Sequence, residues 1–368
     1  MHFNRLMYLG YYVKKLNRPM FYKFLRYTKE LTGRSSLSIC MSIVHDSLKY
    51  NISILEYFQF RFFEKEDLEK REWAGTGYMY EYQGFMNPRK YRSFLEDKRK
   101  FNKIYAEFVK HISLNLEDTA DVAKVQMLLA NRSGKLVFKN SGGNCGKGII
   151  VDNCGNYTPQ SVRQFMIDHN YDMVEECVLQ HEEFNRLSPS AVNTIRVFTQ
   201  LDESDEVVFL GCRLRISVNS CVDNLAAGNL AAPIDINTGM VCGPAVYSDI
   251  TKPAETIVHP VTGTQIIGFQ IPYWREVIDM VHKAAKVNTV NRTIGWDIAM
   301  TPNGPDMIEG NREWCKLLFQ LPIHKGMKHE LDNFLLSQKK IRYENCSYWR
   351  MRCFCTQCAS LVEDERKI

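Results

Sequence analysis

The sequence of 368 residues contains no long apolar segment. No stretch of about 18 residues is both apolar and uncharged, so no membrane-spanning helix is predicted. The N-terminus has neither the continuous apolar core nor the small-residue cleavage site of a signal peptide. Without an export signal, the twelve scattered cysteines favour reduced thiols. The net charge of +5 is too small to indicate that the protein binds nucleic acid. We therefore expect a cytoplasmic protein that binds no nucleic acid.

Three common nucleotide-binding motifs are also absent, although VFKNSGGNCGKGIIV (residues 137–151) has their glycines. Too few residues separate the glycines before Lys147 for a Walker A loop, and Gly148 replaces its hydroxyl. The dinucleotide fingerprint cannot be drawn through these positions, and the H-R-D triplet of protein kinases is missing. A glycine loop between two strands remains, whose amides can cover phosphates while Lys139 supplies a charge. A plain glycine-rich hairpin is the alternative.

The positive charge is concentrated near the N-terminus. Residues 1–34 contain eight basic residues and one acid, Glu30, with aromatic residues between them. One interpretation is a docking surface for an anionic membrane or a partner. The other is a pair of helices whose aromatics pack on the main body while the lysines lie in solvent. Basic helices are common in globular proteins, which favours the second.

The periodicity of the chain changes near residue 135. Before it, apolar residues recur at helical spacing over residues 37–63 and 91–109. After it, short apolar runs with turns between them predict strands, and an amphipathic helix follows Pro272. The broad apolar face predicted for the helix at 91–109 consists of Phe94, Leu95, Phe101, Ile104, Tyr105 and Phe108.

The segment GWDIAMTPNGPDMIEGN (residues 295–311) carries a more specific signal. Asp297 lies in one apolar strand, and Glu309 lies in the returning strand, with Asn311 on the same face as Glu309. Two carboxylates and an amide oxygen are hard ligands that suit Mg²⁺ bound to substrate phosphates. The alternative is a solvent-facing acidic hairpin, but acidic residues within apolar strands usually belong to a functional site. We therefore expect a metal site here.

The turn of this hairpin decides whether Asp297 joins the other two ligands. A two-residue loop at Asn303 and Gly304 would pair Asp297 with Gly310, on the wrong face. A three-residue loop that begins at Pro302 would pair Asp297 with Glu309. Proline at the first turn position and glycine in the left-handed position suit the longer loop, which we therefore predict.

Four stretches together resemble the ATP-grasp superfamily, and more closely its sugar-transfer-associated family. They are DKRKFNKIYAEF, VFKNSGGNCGKGI, SAVNTIRVF…CRLRIS…DNLAAGNLAAPIDINTG and HPVTGTQIIGFQIPYW…IGWDIAMTPNGPDMIEGN. The resemblance implies an α+β fold in which two α+β subdomains clamp ATP, after a helical N-terminal region at 1–90. The ATP-grasp domain would span 91–325, with a lid at roughly 120–180 and a metal-binding core at roughly 181–320. A helix and a cysteine-containing tail would follow at 326–368.

The resemblance implies a site for ATP. Lys98 and Lys139 would hold the phosphates, and Glu182 or Glu183 would hold the ribose. The loop over the triphosphate would include Ser141, Gly142, Gly143, Gly146 and Lys147. The hinge at the adenine would consist of Glu175, Glu176, Cys177 and Val178.

The resemblance also implies catalytic and substrate residues. Asp297, Glu309 and Asn311 would bind two Mg²⁺ ions, and Arg196 and Arg215 would act with Lys139 in catalysis. Asn224, Gly228 and Arg312 would lie on the acceptor side. Two departures from the family pattern concern the acceptor and the transition-state guanidinium. Gly295 stands where many members have arginine, and NREWCKLLF replaces a Pro-Gly turn after the metal asparagine.

The implied activity is a ligase that converts a carboxylate into an acyl phosphate for attack by an amine, in modification of a sugar or polysaccharide precursor. A phosphotransferase acting on a sugar hydroxyl is one alternative. A non-catalytic nucleotide-binding subunit of a glycan assembly complex is the other. The basic, aromatic N-terminus would then offer a contact with that machinery or with the inner face of the membrane.

The C-terminal tail contains closely spaced cysteines. Cys346, Cys353, Cys355 and Cys358 could bind zinc, but only the last two have the usual spacing of a ligand pair. Ordinary thiols are the favoured interpretation.

Overall fold

The structure is a computed structural model that describes residues 2–143 and 148–338, with side chains from residue 5 onward. The part of the chain that it describes begins with helices. Asn17 caps the second of them by accepting a hydrogen bond from the Met20 N–H, and Gly33 ends it in the left-handed conformation. These helices are α1 (His2–Lys14), α2 (Arg18–Thr32), α3 (Ser36–Tyr50), α4 (Ile54–Gln59), α5 (Asp67–Arg71) and α6 (Thr76–Met86).

Some aromatic residues of this region point inward, whereas Tyr11 and Tyr22 are exposed. Tyr12, Phe24, Tyr57 and Phe58 are buried in one cluster, and the Phe24 and Phe58 rings meet edge to face. The helices predicted near the N-terminus are present, and of their aromatic residues Tyr12 and Phe24 are packed inward. The same helices leave aliphatic side chains exposed, which the sequence did not predict.

A buried ion pair joins the N-terminal helices to the C-terminal part of the chain. Glu56 accepts hydrogen bonds from the backbone N–H groups of Ser53 and Thr76. Its Oε1 lies 3.0 Å from Nζ of Lys316, at the start of α12 (Lys316–Gln320). Glu56 is buried but paired and hydrogen-bonded, and Lys316 remains partly exposed, so the ion pair leaves no unsatisfied buried charge.

The smaller of the two sheets has the strand order β1-β4-β2-β3 and is antiparallel. Helices α8 (Val122–Leu129) and α9 (Pro159–Asp168) pack on it around Leu136 and Phe138. Its strands are β1 (Ser113–Asn115), β2 (Lys135–Lys139), β3 (Ile150–Asn153) and β4 (Met173–Glu176).

The larger sheet has the order β7-β6-β5-β8-β9 and is antiparallel throughout. One face packs against the predicted amphipathic helix α11 (Trp274–Val287) and against Phe101 and Tyr105. The opposite face carries the polar residues of the candidate site. The strands are β5 (Thr194–Leu201), β6 (Val207–Ile216), β7 (Leu230–Ile234), β8 (Thr293–Thr301) and β9 (Gly304–Asn311), and α10 (Glu182–Leu187) precedes them.

The single helix predicted over 91–109 is wrong. Two short 3₁₀ turns come first, and α7 spans only Lys98–Ile104. Asp97 starts α7, because its side chain accepts a hydrogen bond from the Arg99 N–H, a capping contact that a helix interior could not offer. Ile104, which was predicted to be on the apolar face, is 44% exposed.

A final helix covers residues 328–338. Among the described residues, no helix has the length and apolarity needed to cross a membrane. The cysteines proposed as zinc ligands lie outside the described residues.

Candidate functional site

The β8–β9 hairpin brings Asp297 and Glu309 opposite each other, as predicted, but not by the predicted turn. Thr301 pairs with Gly304, so the loop contains only Pro302 and Asn303, and the three-residue loop is wrong. The register then shifts by one residue at Ile308, which has no partner on β8. This β-bulge has the same effect on the register as the longer loop would have had.

Three oxygen-bearing side chains meet on this hairpin, and we call Asp297, Glu309 and Asn311 the hairpin triad. The Asn311 amide donates from Nδ2 to Oε1 of Glu309 at 3.0 Å and to Oδ2 of Asp297 at 3.4 Å. The Glu309 side chain is 34% exposed, whereas Asp297 is buried. Lys98 approaches from α7, with Nζ 3.9 Å from Oε2 of Glu309.

Two buried arginines, which we call the arginine pair, hold Asp297. Arg196 lies directly opposite Asp297 on β5 and donates to both of its oxygens, with Nη2 2.8 Å from Oδ2. Arg215 on β6 donates from Nη1 to Oδ2, also at 2.8 Å. Burial raises the pKa of the Asp297 carboxyl, but the charges of the two arginines outweigh burial and lower this pKa to about 2. Asp297 therefore remains ionised at neutral pH.

The surroundings of Gly295 leave no room for a side chain. A Cβ atom on Gly295 would lie 2.6 Å from Cβ of Trp314 and 3.1 Å from Cδ of Arg196. Trp314 belongs to the NREW segment and packs its ring against Phe198. No side chain fits at position 295, and the guanidinium beside Asp297 belongs to Arg196 on the neighbouring strand.

Arg215 also connects the hairpin triad to the predicted acceptor loop. Its Nη2 donates to Asp223 and to Oδ1 of Asn224. The other Asp223 oxygen accepts the Thr194 N–H at 2.8 Å and the Thr194 hydroxyl. Burial raises the pKa of Asp223 despite the charge of Arg215. Gly228 ends the short turn after Asn224 with φ of 90°, which favours glycine.

The residues present fit a magnesium ion that arrives together with a polyphosphate. Glu309 and Asn311 offer partly exposed oxygens, and Asp297 offers a third ligand if its oxygens are shared with the arginine pair. The carboxylates of Asp223, Asp297 and Glu309 are balanced by Arg196, Arg215 and Lys98. With three charges of each sign, these groups create no excess negative charge that would attract a cation alone.

The first residues of the predicted phosphate loop are hydrogen-bonded to Lys98. The Lys98 N–H donates to the Ser141 carbonyl at 3.2 Å, and its ammonium donates to the Gly143 carbonyl at 2.7 Å. Ser141 is fixed in turn by Asp172, whose carboxylate accepts its N–H and its hydroxyl, each at 2.6 Å. Gly142 lies in this turn, whereas Gly146 and Lys147 lie outside the described residues.

Lys139 on β2 belongs to a buried network of charged side chains that connects the smaller sheet to β9. Its ammonium pairs with Glu175, and His111 lies 3.7 Å from the other Glu175 oxygen. Nδ1 of His111 is 2.9 Å from Oδ2 of Asp306 on β9. Burial lowers the pKa of His111, but its two carboxylate partners outweigh burial and raise it to about 10. A charged His111 thus links the two sheets.

We expect replacement of His111 with glutamine to destabilise the protein most at low pH. The folded-state pKa of about 10 exceeds the unfolded value of roughly 6.5, so the charged imidazolium stabilises the fold fully below pH 6.5. This contribution is lost as the pH rises toward 10. Urea unfolding should show a deficit of a few kcal/mol at pH 6 that shrinks at pH 9 to 10. A deficit independent of pH would mean that His111 contributes by packing alone.

A cleft of about 150 Å³ opens between the hinge and the β8–β9 turn. Glu176, Cys177 and Val178 line one side, and Pro302 and Asn303 line the other. The Cys177 N–H donates to the Lys135 carbonyl, while no hydrogen bond of the Val178 N–H to another described residue is present. The cleft is smaller than the roughly 300–1,000 Å³ of most ligand pockets, so it could hold only part of a nucleotide.

Three predicted residues lie apart from this cluster. Glu182 and Glu183 start α10; the Glu182 side chain is largely exposed, the Glu183 side chain is half-buried, and both pair with Arg186. Arg312 pairs with Glu96 at 2.7 Å and with Glu313, so its guanidinium is already engaged.

Asp223, His111 and Asp306 were not predicted. Asp223 immediately precedes Asn224, which was predicted, and this position was the one feature of the sequence that could have identified it. His111 and Asp306 gave none, because they meet across 195 residues of chain.

A model of the family described as sugar-transfer associated ATP-grasp matches residues 78–335 of the sequence. No curated protein matches the chain.

Similar solved structures include the biotin carboxylase domain of Hydrogenobacter thermophilus 2-oxoglutarate carboxylase, bound to MgADP, ADP and bicarbonate. It is 15% identical with a TM-score of 0.38, over 68% of this chain and 52% of that chain. Staphylococcus aureus N5-carboxyaminoimidazole synthetase with ADP is 9% identical with a TM-score of 0.37, over 64% and 52%. D-cycloserine synthetase is 12% identical with a TM-score of 0.37, over 67% and 73%. The chain thus spans about half the length of the first two.

Proposed function

The chain belongs to the sugar-transfer associated ATP-grasp family, and from this membership we propose that it is a MgATP-dependent ligase. In the proposed reaction, a carboxylate oxygen attacks the γ-phosphorus of ATP and ADP leaves. An amine nitrogen then attacks the acyl carbon, and phosphate leaves with the bonding electrons as the nitrogen loses a proton. We propose a carboxylate on a sugar or polysaccharide precursor as the substrate class, and the cytoplasm as the location.

The observation that carries this proposal is the hairpin triad beside the arginine pair and Lys98. Phosphoryl transfer depends mainly on the positions of the reacting groups and on neutralised charge, and this cluster offers both from hydrogen-bonded strands and from Lys98 on α7. Bound to Glu309, Asn311 and Asp297, Mg²⁺ would neutralise charge on the β- and γ-phosphates of ATP. We propose two such ions, and we keep residues 91–325 as the proposed catalytic domain, between helices at 1–90 and a helix and tail at 326–368.

The chain's own cations would position the phosphates. Lys98 already touches the loop at Gly143 and faces Glu309. With ATP bound, the Lys139 ammonium would contact both the Glu175 carboxylate and a phosphate. His111 would then still balance the negative charge of Glu175. No hydrogen bond from Nη1 of Arg196 to another described residue is present, so this donor can serve the transferring phosphoryl group.

The charges near the hairpin triad favour a carboxylate over a hydroxyl as the attacking group. A hydroxyl nucleophile needs a general base, and Asp223, a buried carboxylate close by, has both oxygens engaged by Arg215 and Thr194. A carboxylate is already deprotonated and is attracted by guanidinium groups. The arginine pair therefore supports ligase chemistry over phosphotransfer to a sugar.

Trapping with hydroxylamine tests this assignment. The native protein is incubated with ATP, Mg²⁺, hydroxylamine and candidate acids such as uronic acids and amino acids. We expect a hydroxamate equimolar with ADP, because hydroxylamine replaces the amine at the acyl phosphate. ADP accompanied by a phosphorylated alcohol, with no hydroxamate, would identify a phosphotransferase. ATP binding without turnover of any acid or alcohol would favour a nucleotide-binding subunit.

A further inference from the structure

The N-terminal helices expose an aliphatic face. On α3, residues at i, i+3, i+4 and i+7 point outward, and we call Leu37, Cys40, Met41 and Val44 the apolar stripe. Leu37 and Met41 are 71% and 60% exposed. On α1, which packs against α3, the exposed aliphatic residues are Leu6, Met7 and Val13. Several exposed aliphatic side chains on two helices that pack against each other indicate an interaction site.

Unpaired positive charges lie on the neighbouring helices. Lys14, Lys15 and Arg18 lie at the junction of α1 and α2, and Arg26 and Lys29 lie on α2, which also packs against α3. We call these five residues the basic rim. All five are exposed, and no ion pair to another described residue is present for any of them. Lys14 follows Met7 and Tyr11 at i+7 and i+3, so it shares their face of α1.

We propose that this face docks on an anionic phospholipid bilayer. Exposed aliphatic side chains beside lysines and arginines match the interfacial zone of a membrane, where apolar groups enter the acyl boundary and cations meet phosphates. A second copy of the chain fits poorly, because self-association would bring two basic rims together. The buried aromatic cluster holds the helices in place, so the surface exists without a ligand.

Vesicle co-sedimentation of the full chain, without ATP, tests the proposal independently of the proposed ligase activity. The native protein should bind vesicles of phosphatidylcholine with phosphatidylserine at least about tenfold more tightly than phosphatidylcholine alone, and added salt should weaken this binding. The variant Leu37→Ser/Met41→Ser/Val44→Ser removes the apolar stripe. The variant Lys14→Gln/Lys15→Gln/Arg18→Gln removes part of the basic rim. Each should reduce binding to anionic vesicles about tenfold.

Matched controls come from other surfaces. Leu68→Ser and Leu336→Ser change exposed leucines elsewhere, and Arg275→Gln/Lys283→Gln changes exposed cations on α11. These variants should bind as the native chain does. Failure of the native protein to bind anionic vesicles, or native-like binding by the stripe variant, would overturn the proposal. A native dimer that the stripe variant converts to a monomer in light scattering would assign the face to a second copy instead.

Discussion

Replacing Glu309 with glutamine should lower ATP-dependent turnover at least about a hundredfold while leaving the fold intact. Glu309 is the partly exposed member of the hairpin triad, and its neighbours are the Asn311 amide and the distant ammonium of Lys98. Glutamine keeps the shape but removes the charge that a magnesium ion needs. The measurement is ADP formation in the hydroxylamine assay, with thermal unfolding of the same preparation to confirm the fold.

Glu313 provides the matched control. It lies four residues further along the chain, its side chain is 52% exposed, and it pairs with Arg312. Glu313→Gln makes the same chemical change outside the hairpin triad, so turnover should remain near the native rate. Equal losses in the two variants would contradict the placement of the metal at Glu309.

Replacing Asp297 with alanine should have the largest effect on stability. The change leaves the guanidinium groups of Arg196 and Arg215 buried without the carboxylate that both contact. Removing one partner of a buried ion pair costs about 3–5 kcal/mol. Urea unfolding should show a loss of that size, whereas Glu309→Ala should lose less than about 1 kcal/mol because its ion pair is long and partly exposed.

A double variant distinguishes charge from packing at Asp297. If the unpaired guanidinium causes the loss, adding Arg196→Met to Asp297→Ala should restore part of the stability, and the two effects will not add. Additive losses, or a loss below 1 kcal/mol for Asp297→Ala alone, would contradict the charge network. Variants of Asp297 are expected to disturb the fold as well, so Glu309 is the better position for testing metal binding.

Local patterns in the sequence were sufficient to predict most strands and the hairpin triad. Alternation in β8 puts Asp297 on the face opposite Trp296 and Ile298, and in β9 the bulge at Ile308 puts Glu309 on the face opposite Met307. The turn was predicted wrongly, because a three-residue loop and a two-residue loop followed by a bulge at Ile308 give the same register at Asp297. The two alternatives differ in whether Met307 or Ile308 faces the core, and because both residues are apolar the sequence pattern could not distinguish them.

Contacts between distant segments could not be predicted. Arg196 reaches Asp297 because β5 and β8 are neighbours although they are not consecutive in the chain. His111 is a single histidine before a short strand, and its charge depends on Glu175 and Asp306 from two other strands. The helix predicted at 91–109 failed for a local reason, since the capping preference of Asp97 outweighed the continuing apolar period.

Thermal unfolding of the native protein with ligand tests whether the hairpin triad and its cations form a MgATP site. Binding to the folded state raises the midpoint by mass action. We expect millimolar MgATP to raise the midpoint by several degrees, Mg²⁺ alone to leave it unchanged, and Glu309→Gln to lose the magnesium-dependent part of the shift. An unchanged midpoint for the native protein at millimolar MgATP would contradict the account.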